Sequence, residues 1–561
     1  MAHGYEEFLP PRELWPNLIY SRPELVYPER LNVASELLDV HVSGGNGNDP
    51  AILFEEQRLS YAELQRETNR IGNVLLRLGI QAGDRVMLRI PNRPLFVAAW
   101  LAIQKIGAVG VATMPMLRAR EIAYVVNDCQ ASVLLCAADL LEDVLRARDK
   151  FNHGVTVIAG PSHSRDEVFS LDELTAGVSD ELEAYSGRSD SLALIAYTSG
   201  STGVPKGTTH SPTDILAAAD GYARNVLQPT RHDVFGGHPT MAFTFGLGGL
   251  LVFPLRFGAA TALIDRFSPE LLLATAARRR VTVQFCAATT YRILLQDPLL
   301  LDQYDLRSLR LCVSAGEILP EPVFRAWRDR TGIEILDGIG ATEMFHVFIS
   351  SRPGEVRPGS TGFPVPGYEA KVVDEQFQDV PCGTPGLLAV RGPTGCRYWR
   401  NPELQRNYVR HGWNVTGDVY IRDQDGYFWY QCRNDDLIIC GGFNIAGPEV
   451  ESVLLEHPAV AEVAVVASPD TIRGNVPKAF VVLRAGLGGS SELITELQEH
   501  VKREMAPYKY PREIEFVPEL PRTETGKIRR VELRARELAR KAVAGFQTTA
   551  GEPEPSDVAS G

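Results

Sequence analysis

The chain has 561 residues, a formal net charge of -13 and 44% hydrophobic residues. The length exceeds one typical domain, and the hydrophobic share is that of a globular protein. The acidic balance argues against general nucleic-acid binding, which needs clustered lysine and arginine, and no apolar run reaches the ~20 residues of a membrane span. We therefore expect neither nucleic acid nor membrane as a partner.

In chain order, residues 1–32 are rich in proline and aromatic residues, which predicts an extended wrapping segment. Ser60–Leu78 is a predicted helix, with Ser60 as N-cap, Glu63 completing a capping box and Gly79 ending it. After it, strand-like apolar runs alternate with helical ones, a pattern typical of α/β layers with helices on both sheet faces. The predicted strands are Arg85–Ile90, Ser132–Cys136, Val155–Ile158, Leu192–Tyr197, Thr261–Ile264, Val281–Phe285 and Leu309–Val313.

The pattern changes twice towards the C-terminus. Between about 360 and 430 it becomes rich in strands, glycine and proline, which predicts a small β-unit. We predict the α/β class: a large N-terminal domain, residues 1–433, of layered α/β sheets plus this β-unit, then a hinge at 434–436 and a mobile small α+β domain at 437–545. The polar tail, 546–561, is predicted to be disordered.

The cysteine and histidine spacings favour no disulfide framework and no zinc site. None of the eight cysteines forms a C-x-x-C pair, so we expect buried reduced thiols. The N-terminus lacks the basic and then apolar pattern of a secretory signal, which favours a cytoplasmic location. The oligomeric state stays open, with a homodimer as one option.

The run Tyr197–Gly207, Tyr-Thr-Ser-Gly-Ser-Thr-Gly-Val-Pro-Lys-Gly, follows an apolar strand and predicts a phosphate-binding loop. Gly200 and Gly203 let backbone amides turn towards an anion, the hydroxyl side chains add donors, and Lys206 adds a cation. Only two residues separate these glycines, so the loop is not a Walker A motif. The alternative, a surface linker, would rarely follow a buried strand.

This run resembles the signature loop of the adenylate-forming superfamily, which includes acyl-CoA synthetases, adenylation domains and luciferases. The resemblance extends over nearly the whole chain, because four further blocks occur in the expected order. These blocks are Asp337–Glu343, with Ile339 where an aromatic residue is usual; Trp413–Asp418; Arg433–Ile438, preceded by Cys432 where glycine is usual; and Pro521–Lys527.

The resemblance implies an ATP-dependent acid–coenzyme A ligase that uses ATP, Mg²⁺ and coenzyme A. Glu343 would bind the metal, Thr342 would donate to the α-phosphate, and Lys206 and Lys527 would complete the catalytic set. Asp418 would bind the ribose hydroxyls, for which a carboxylate is well suited. The remaining implied ATP-binding residues are Thr198, Ser199, Gly200, Ser201, Thr202, Gly203, Gly316, Glu317, Asp337, Gly338, Ile339 and Arg433.

The C-terminal blocks imply a second step. Family members rotate the C-terminal domain between adenylation and thioester formation, with Asp435 at the hinge position. Gly441 and Gly442 resemble the glycines that line the pantetheine tunnel. Lys527 would touch the carboxylate and the α-phosphate, where its charge counts most in a water-excluded site.

The acid pocket resembles that of benzoate-CoA and 2-aminobenzoate-CoA ligases, through the 337–351 run and the N-terminal Leu9–Pro16. The implied pocket residues are Ala242, Phe243, Gly340, Ala341 and His346. His346 could face an ortho substituent or be a structural histidine, and the phenylalanines could be ordinary core. The alternatives are a medium-chain fatty acid–CoA ligase and a freestanding enzyme that loads a carrier-protein thiol. A catalytically inactive nucleotide-binding scaffold is disfavoured, because the charged residues that catalysis would need are all present. They are Lys206, Glu343, Asp418, Arg433 and Lys527.

Overall fold

The protein is described by a computed structural model that covers residues 5–161, 167–198, 205–297, 299–440, 443–470, 473–505, 507–522 and 526–543. The chain divides into two compact units, Met1–Tyr430 and Gln431–Gly561. The tail predicted to be disordered, residues 546–561, lies outside the described residues.

The α-helices of the described residues fall in both units, and the described part of the first unit also has four π-helical segments, Ser35–Asp39, Val42–Asn46, Ala219–Leu227 and Gly248–Val252. The α-helices are α1 (Tyr61–Arg77), α2 (Pro94–Lys105), α3 (Ala119–Cys129), α4 (Leu141–Arg148), α5 (Leu171–Thr175), α6 (Pro212–Ala218), α7 (Thr244–Leu247), α8 (Phe253–Arg256), α9 (Pro269–Arg279), α10 (Ala288–Leu294), α11 (Glu321–Thr331), α12 (Pro402–Tyr408), α13 (Gly447–Glu456), α14 (Ser491–Glu504) and α15 (Arg530–Val543).

The strands of the first unit form two large sheets and one small sheet, and those of the second unit form one sheet. They are β1 (Pro50–Phe54), β2 (Gln57–Ser60), β3 (Arg85–Arg89), β4 (Val109–Ala112), β5 (Val133–Ala137), β6 (Thr156–Gly160), β7 (Phe169–Ser170), β8 (Leu194–Thr198), β9 (Lys206–His210), β10 (Val234–Gly237), β11 (Ala260–Leu263), β12 (Val283–Cys286), β13 (Leu311–Ala315), β14 (Ile335–Gly340), β15 (Val347–Ser350), β16 (Phe363–Pro364), β17 (Glu369–Val373), β18 (Gly386–Arg391), β19 (Val409–Arg410), β20 (Trp413–Arg422), β21 (Phe428–Arg433), β22 (Leu437–Cys440), β23 (Phe443–Ala446), β24 (Val460–Asp470), β25 (Gly474–Leu483) and β26 (Glu513–Phe516).

The two large sheets are mostly parallel. One has nine strands in the order β16-β15-β14-β13-β12-β10-β11-β1-β2, and the other has seven in the order β7-β6-β5-β3-β4-β8-β9. Neighbours from β10 to β14 run parallel, whereas β9 turns back antiparallel on β8. The small sheet, β17-β18-β20-β19 with β21 on β20, is the β-unit predicted between 360 and 430.

Helix α2 lies in the main hydrophobic core, which also contains side chains from strands of both large sheets. Its residues from Phe96 to Lys105 are buried, because the sequence is apolar on every face. Helix α1 begins with the predicted capping box: the Ser60 side chain accepts from Glu63 N–H and the Glu63 carboxylate accepts from Ser60 N–H. Such a cap stabilises a helix by about 1 kcal/mol.

The described N-terminal segment contacts residues 392–412, and it includes three short 3₁₀ turns, Glu6–Phe8, Arg12–Leu14 and Pro23–Leu25, where an extended segment was predicted. Asn17 N–H donates to the Gly412 carbonyl at 2.8 Å and Ile19 N–H donates to the Gly392 carbonyl at 2.9 Å. The Phe8 ring packs on Trp399, with ring centroids 4.9 Å apart. These contacts hold the loop between β18 and α12 from outside.

The second unit is a sheet in the order β23-β22-β25-β24, with β26 on β25 and helices α13, α14 and α15. Helix α15 is attached through charge: Lys478 Nζ lies 2.7 Å from Glu537 Oε2 and 2.7 Å from Glu515 Oε2. Lys478 and Glu537 are both buried, and each has a second ion-pair partner, Glu515 for Lys478 and Arg540 for Glu537, so the charges compensate one another inside the unit.

The predicted α/β class, with a large N-terminal part and a smaller C-terminal part, is confirmed. The cysteines are free thiols and seven are buried, whereas Cys382 is exposed because it lies in a Pro-Cys-Gly turn outside the sheets. Helices in the described ranges are too short or too polar to cross a bilayer.

Candidate active site

The predicted phosphate loop lies between two paired strands. Strand β8 ends at Thr198, β9 begins at Lys206, and these two residues are opposite each other in the antiparallel register. Both ends of the loop are therefore fixed next to each other. Ser199, Gly200, Ser201, Thr202 and Gly203 lie outside the described residues.

Helix α3 supports both ends of this loop. Tyr197 donates its hydroxyl to Asp128 Oδ2 at 2.5 Å, and Tyr124 donates to the Pro205 carbonyl at 3.1 Å. Burial raises the pKa of the Asp128 carboxyl, while the Tyr197 hydrogen bond acts in the opposite direction. The backbone on each side of the loop is thus anchored to one helix.

The adjacent ends of strands β13 and β14 bring together four predicted ATP-binding residues, Gly316, Glu317, Asp337 and Gly338. Ser314 pairs with Asp337 and Ala315 with Gly338, and Gly316 follows with a φ of +88° that favours glycine. Glu317 uses its carboxylate to cap α10: Oε2 accepts from the Thr289 hydroxyl at 2.9 Å and Oε1 accepts from the Thr289 N–H. Its side chain is therefore engaged in the fold, which leaves its backbone as the part that could meet a ligand.

Asp337 is buried, and its Oδ1 has no hydrogen-bond partner among the described residues. Burial raises the pKa of this carboxyl well above its usual value. A buried polar atom without a partner is costly, and it is often explained by a ligand or water that completes the bonding. Asp337 Oδ1 and the Oγ of the paired Ser314 are thus two buried polar atoms at this edge of the sheet that a ligand or water could satisfy.

After Gly340 the chain forms a short 3₁₀ turn, Thr342–Met344, which contains the predicted metal ligand Glu343. Side chains from outside contact each residue of this turn. His210 Nε2 lies 2.8 Å from the Thr342 carbonyl, Tyr398 donates to Glu343 Oε1 at 2.7 Å, and Thr394 donates to the Met344 carbonyl at 2.8 Å. The turn is thus fixed by hydrogen bonds from β9 and from the loop before α12.

Phe345 closes the turn in a strained conformation. Its φ is +69°, a region that non-glycine residues rarely occupy, and such strain is often found at functional sites. The His210 ring packs edge-on against Phe345 at 5.4 Å. His210 therefore holds the turn both through the Thr342 carbonyl and through this ring contact.

One of the predicted acid-pocket residues, His346, lies in an aromatic cluster. His346 is buried in it, with ring centroids 4.5 Å from Phe253, 5.5 Å from Phe245 and 5.7 Å from Tyr222. Its Nε2 lies 3.2 Å from the Phe245 carbonyl and must therefore donate. Its Nδ1 has no hydrogen-bond partner in the described part of the chain.

Small residues let this cluster pack closely. A Cβ on Gly248 would stand 2.3 Å from His346 Cδ2, and one on Gly340 would stand 2.7 Å from the His346 carbonyl oxygen. Ala242 is buried and Phe243 is half-buried at the start of α7. The structure thus brings Gly340 and His346 together. At positions 248 and 340 there is no space for a side chain larger than that of glycine.

Lowering the pH should destabilise the first unit, because buried histidines, His210 and His346 among them, resist protonation. Burial lowers the pKa of His210 to about 4 and that of His346 to about 3. The unfolded chain binds these protons near pH 6.5, so the free energy of unfolding falls as pH falls from about 6.5 towards 4. The loss is roughly 3 kcal/mol or more for each histidine.

Urea unfolding followed by fluorescence at pH 7, 6 and 5 measures this loss. The variant His346→Phe should show a shallower dependence, and His232→Gln, at an exposed histidine, should match the wild type. An unchanged slope in His346→Phe would contradict the assignment.

Asp418 lies on β20 of the small sheet, and its N–H donates to the Thr416 hydroxyl at 3.3 Å. It is buried, and the preceding Gly417 has a φ of +76°. The turn-forming glycine therefore directs the backbone just before the predicted ribose ligand.

In the second unit, Lys527 is exposed and lies between Gly526, with a φ of +84°, and Ile528, which bridges to Arg522. Arg522 also donates to the Gly526 carbonyl at 2.6 Å, so the backbone beside Lys527 is held within the unit. The exposed Arg433 ends β21.

The predicted hinge residue Asp435 lies in the 3₁₀ turn Asn434–Asp436. Asp436 forms an ion pair with Arg534 of α15, so this turn is tied to the second unit's last helix. Gly441 and Gly442 lie outside the described residues.

Sequence reasoning missed His210, Thr394 and Tyr398. His210 could have been found as the residue that ends the strand of Lys206, since polar residues at such strand ends often serve a site. Tyr398 and Thr394 carry no comparable signal, because they are 50 or more positions from the Thr342–Met344 turn and contact it only in the folded chain.

Comparison with known proteins gives two family-model matches. The AMP-binding enzyme model matches residues 40–399, and the AMP-binding enzyme C-terminal domain model matches residues 449–527. A benzoate–CoA ligase of Thauera aromatica is 38% identical over 91% of this chain and 97% of its own length. The mitochondrial acyl-coenzyme A synthetase ACSM3 of Mus musculus is 34% identical over 91% of each chain.

Solved structures similar to this chain are also CoA ligases. The anthranilate CoA ligase AuaEII, in complex with anthranoyl-AMP, is 36% identical with a TM-score of 0.88, over 93% of this chain and all of its own. A benzoate CoA ligase from Burkholderia xenovorans LB400 is 32% identical with a TM-score of 0.83, over 90% of this chain and all of its own. The predicted superfamily and the prediction of an enzyme of the acid–thiol ligase class are confirmed. The chain therefore belongs to the AMP-binding enzyme family.

Proposed function

We propose that this protein is an ATP-dependent acid–coenzyme A ligase for an aromatic acid, benzoate or an ortho-substituted benzoate such as 2-aminobenzoate. In the first step a carboxylate oxygen attacks the α-phosphorus of ATP and pyrophosphate leaves. In the second step the thiol of coenzyme A attacks the acyl carbon, and AMP leaves as the thioester forms. The observation that carries the proposal is the bond from His210, on the strand of Lys206, to the Thr342 carbonyl.

This bond matters because the reacting groups of the first step are all anionic. Catalysis then depends on cations and dipoles already fixed where charge develops. Lys206 and Thr198 stand at the two ends of the phosphate loop, and Thr342 and Glu343 are fixed beside the same strand. We assign Lys206 and Thr198 to the phosphates and Thr342 to the α-phosphate.

The nucleoside would be held by groups on two sheets. Asp337, with its unpartnered buried oxygen, and the backbone of Gly316, Glu317, Gly338 and Ile339 suit an adenine. Asp418 suits paired ribose hydroxyls. We assign Arg433 to the ribose or phosphate, and Lys527 to the carboxylate and α-phosphate during adenylation.

The residues present fit one magnesium ion. Glu343 offers a single carboxylate, and magnesium in nucleotide enzymes is bound by one or two carboxylates plus phosphate oxygens. No cluster of three or more His, Cys, Asp or Glu side chains suited to a metal occurs in the described ranges, so substrate oxygens would supply the other ligands. When bound, the ion would neutralise charge on the phosphates.

We further propose the domain boundaries 1–433 and 437–545, with Asp435 as the hinge between the two half-reactions. The 3₁₀ turn around Asp435 is short and lies directly after β21. Hinges are usually a few residues at the end of an element, where they absorb the backbone change, so this position suits a hinge. Gly441 and Gly442 would then leave room for the pantetheine arm of coenzyme A.

The aromatic acid is favoured by the packing around His346. Phe245, Phe253 and Tyr222 fill the space next to this ring, so a flat, short acid beside Gly340 and Ala341 fits better than a long flexible chain. His346 Nδ1, which can only accept in the tautomer set by the Phe245 carbonyl, suits an ortho amino or hydroxyl donor.

An ATP–pyrophosphate exchange assay across a panel of acids tests the proposal. We expect strong exchange with benzoate, 2-aminobenzoate or 2-hydroxybenzoate, and AMP release only when coenzyme A is added. Strongest exchange with octanoate would favour the medium-chain alternative, which the similarity to ACSM3 supports. Transfer to a carrier protein but not to coenzyme A would favour the freestanding adenylation enzyme.

Replacing Gly248 with alanine should impair acid binding selectively. The new Cβ would overlap His346, and relieving such an overlap costs about 1–3 kcal/mol. We expect the KM for benzoate to rise roughly 10-fold while the KM for ATP changes little. The control is Gly154→Ala, where a Cβ meets nothing within 4 Å. An unchanged KM for benzoate would show that His346 does not border the acid.

A further inference from the structure

The Glu343 carboxylate is held by a buried tyrosine far away in sequence. Tyr398 is 3% exposed, and its hydroxyl donates to Glu343 Oε1 at 2.7 Å. A phenol donates a single hydrogen bond, so this contact fixes one carboxylate oxygen. The other oxygen, Oε2, has no hydrogen-bond partner among the described residues and could meet a cation.

The backbone of Tyr398 is itself held by the side chain of Gln405 on α12. The Tyr398 N–H donates to Gln405 Oε1 at 2.8 Å. The same amide donates through Nε2 to the Cys396 carbonyl at 2.8 Å and to the Leu14 carbonyl at 2.9 Å. One fully buried side chain thus joins the tyrosine loop to the N-terminal segment.

The tyrosine loop also pairs with β9. Thr208 and Tyr398 form an antiparallel bridge, and Trp399 N–H donates to the Gly207 carbonyl at 2.8 Å. On the other side of Tyr398, Thr209 donates its N–H and its hydroxyl to the Arg397 carbonyl, both at 2.9 Å. Tyr398 is therefore built into the extension of the strand that begins at Lys206.

We propose that Tyr398 is a positioning residue that orients Glu343 for a divalent cation, an inference that rests on the proposed function. Magnesium demands nearly ideal octahedral geometry, so a carboxylate that offers one oriented oxygen binds it better than one that rotates freely. Partners that orient a metal ligand in this way change metal affinity by 10–100-fold. In this role Tyr398 acts through its hydrogen bond to Glu343.

The variant Tyr398→Phe tests this role. We expect the Mg²⁺ concentration for half-maximal ATP–pyrophosphate exchange to rise at least about 10-fold, while the KM for the acid changes less than about 2-fold. Electron paramagnetic resonance with Mn²⁺ and ATP should show the same weakening without turnover. The matched control is Tyr408→Phe, whose ring packs edge-on against Tyr398 at 5.7 Å.

A double-mutant cycle separates orientation from packing. In a Glu343→Gln background, Tyr398→Phe should change Mn²⁺ affinity less than about 2-fold, because the oriented charge is already gone. An undiminished effect there, or an equal loss of ATP affinity in EDTA, would overturn the proposal and assign Tyr398 to packing alone. So would wild-type Mn²⁺ affinity in Tyr398→Phe.

Failure of the proposed function is a different outcome. Wild-type protein that supports no exchange with any acid would reject the ligase assignment, whereas normal wild-type exchange with an unaltered Tyr398→Phe rejects only the positioning role. Melting temperatures of both tyrosine variants, measured without metal, show whether each protein is folded when its Mn²⁺ affinity is read.

Discussion

Replacing Lys527 with alanine should lower the rate of acyl-adenylate formation by roughly 10²–10³-fold and leave thioester formation from preformed acyl-adenylate nearly unchanged. The lysine charge is needed while negative charge builds between the carboxylate and the α-phosphate. In the second half-reaction the thiol attacks the acyl carbon, and the α-phosphorus is not attacked. Lys527 is exposed in the second unit and has a backbone held by Arg522, so the substitution should not disturb folding.

Two assays on the same protein measure this difference. Pyrophosphate exchange reports adenylation, and AMP release from synthetic acyl-adenylate plus coenzyme A reports thioester formation. The control is Arg529→Ala, which removes a half-exposed cation two residues away. Equal loss in both half-reactions would reject the assignment of Lys527 to adenylation.

Replacing Glu343 with glutamine should lower exchange by roughly 10²–10³-fold, because the amide keeps the shape of the side chain but removes its charge. The amide oxygen can still accept from Tyr398, so the turn should stay in place. Loss of the charge should therefore appear mainly as a much higher Mg²⁺ requirement. Titrating Mg²⁺ at saturating acid and ATP measures it.

The control for Glu343 is Glu321→Gln, at a partly exposed carboxylate that pairs with Arg325 on α11. It should leave exchange unchanged. If Glu343→Gln reached the wild-type rate at the wild-type Mg²⁺ concentration, the metal-binding role would be wrong, and Glu343 would be a structural partner of Tyr398.

Local signals in the sequence were sufficient for much of the fold. The capping box of α1 is encoded within four residues, and the structure contains it at Ser60 and Glu63. Strand ends were less accurate: the predicted Leu192–Tyr197 is Leu194–Thr198, since pairing with β9 decides where the strand begins. Such pairing is non-local, and a single sequence does not display it.

For the candidate site too, local residues were predicted and distant ones were missed. Thr342 and Glu343 were identified because their block is contiguous, and the roles assigned to them stay predictions. His210 and Tyr398 were missed because they lie 132 and 55 positions from the residues they hold. Contacts over such separations depend on the topology of the sheets, which no motif encodes.

The N-terminal segment has a practical consequence for anyone who shortens or tags this protein. Leu14 and Phe8 contact Gln405 and Trp399, which flank the tyrosine that holds Glu343. Removing the first twenty residues would take away these supports from the proposed active site. We therefore expect a truncation of this segment to loosen the packing around Tyr398.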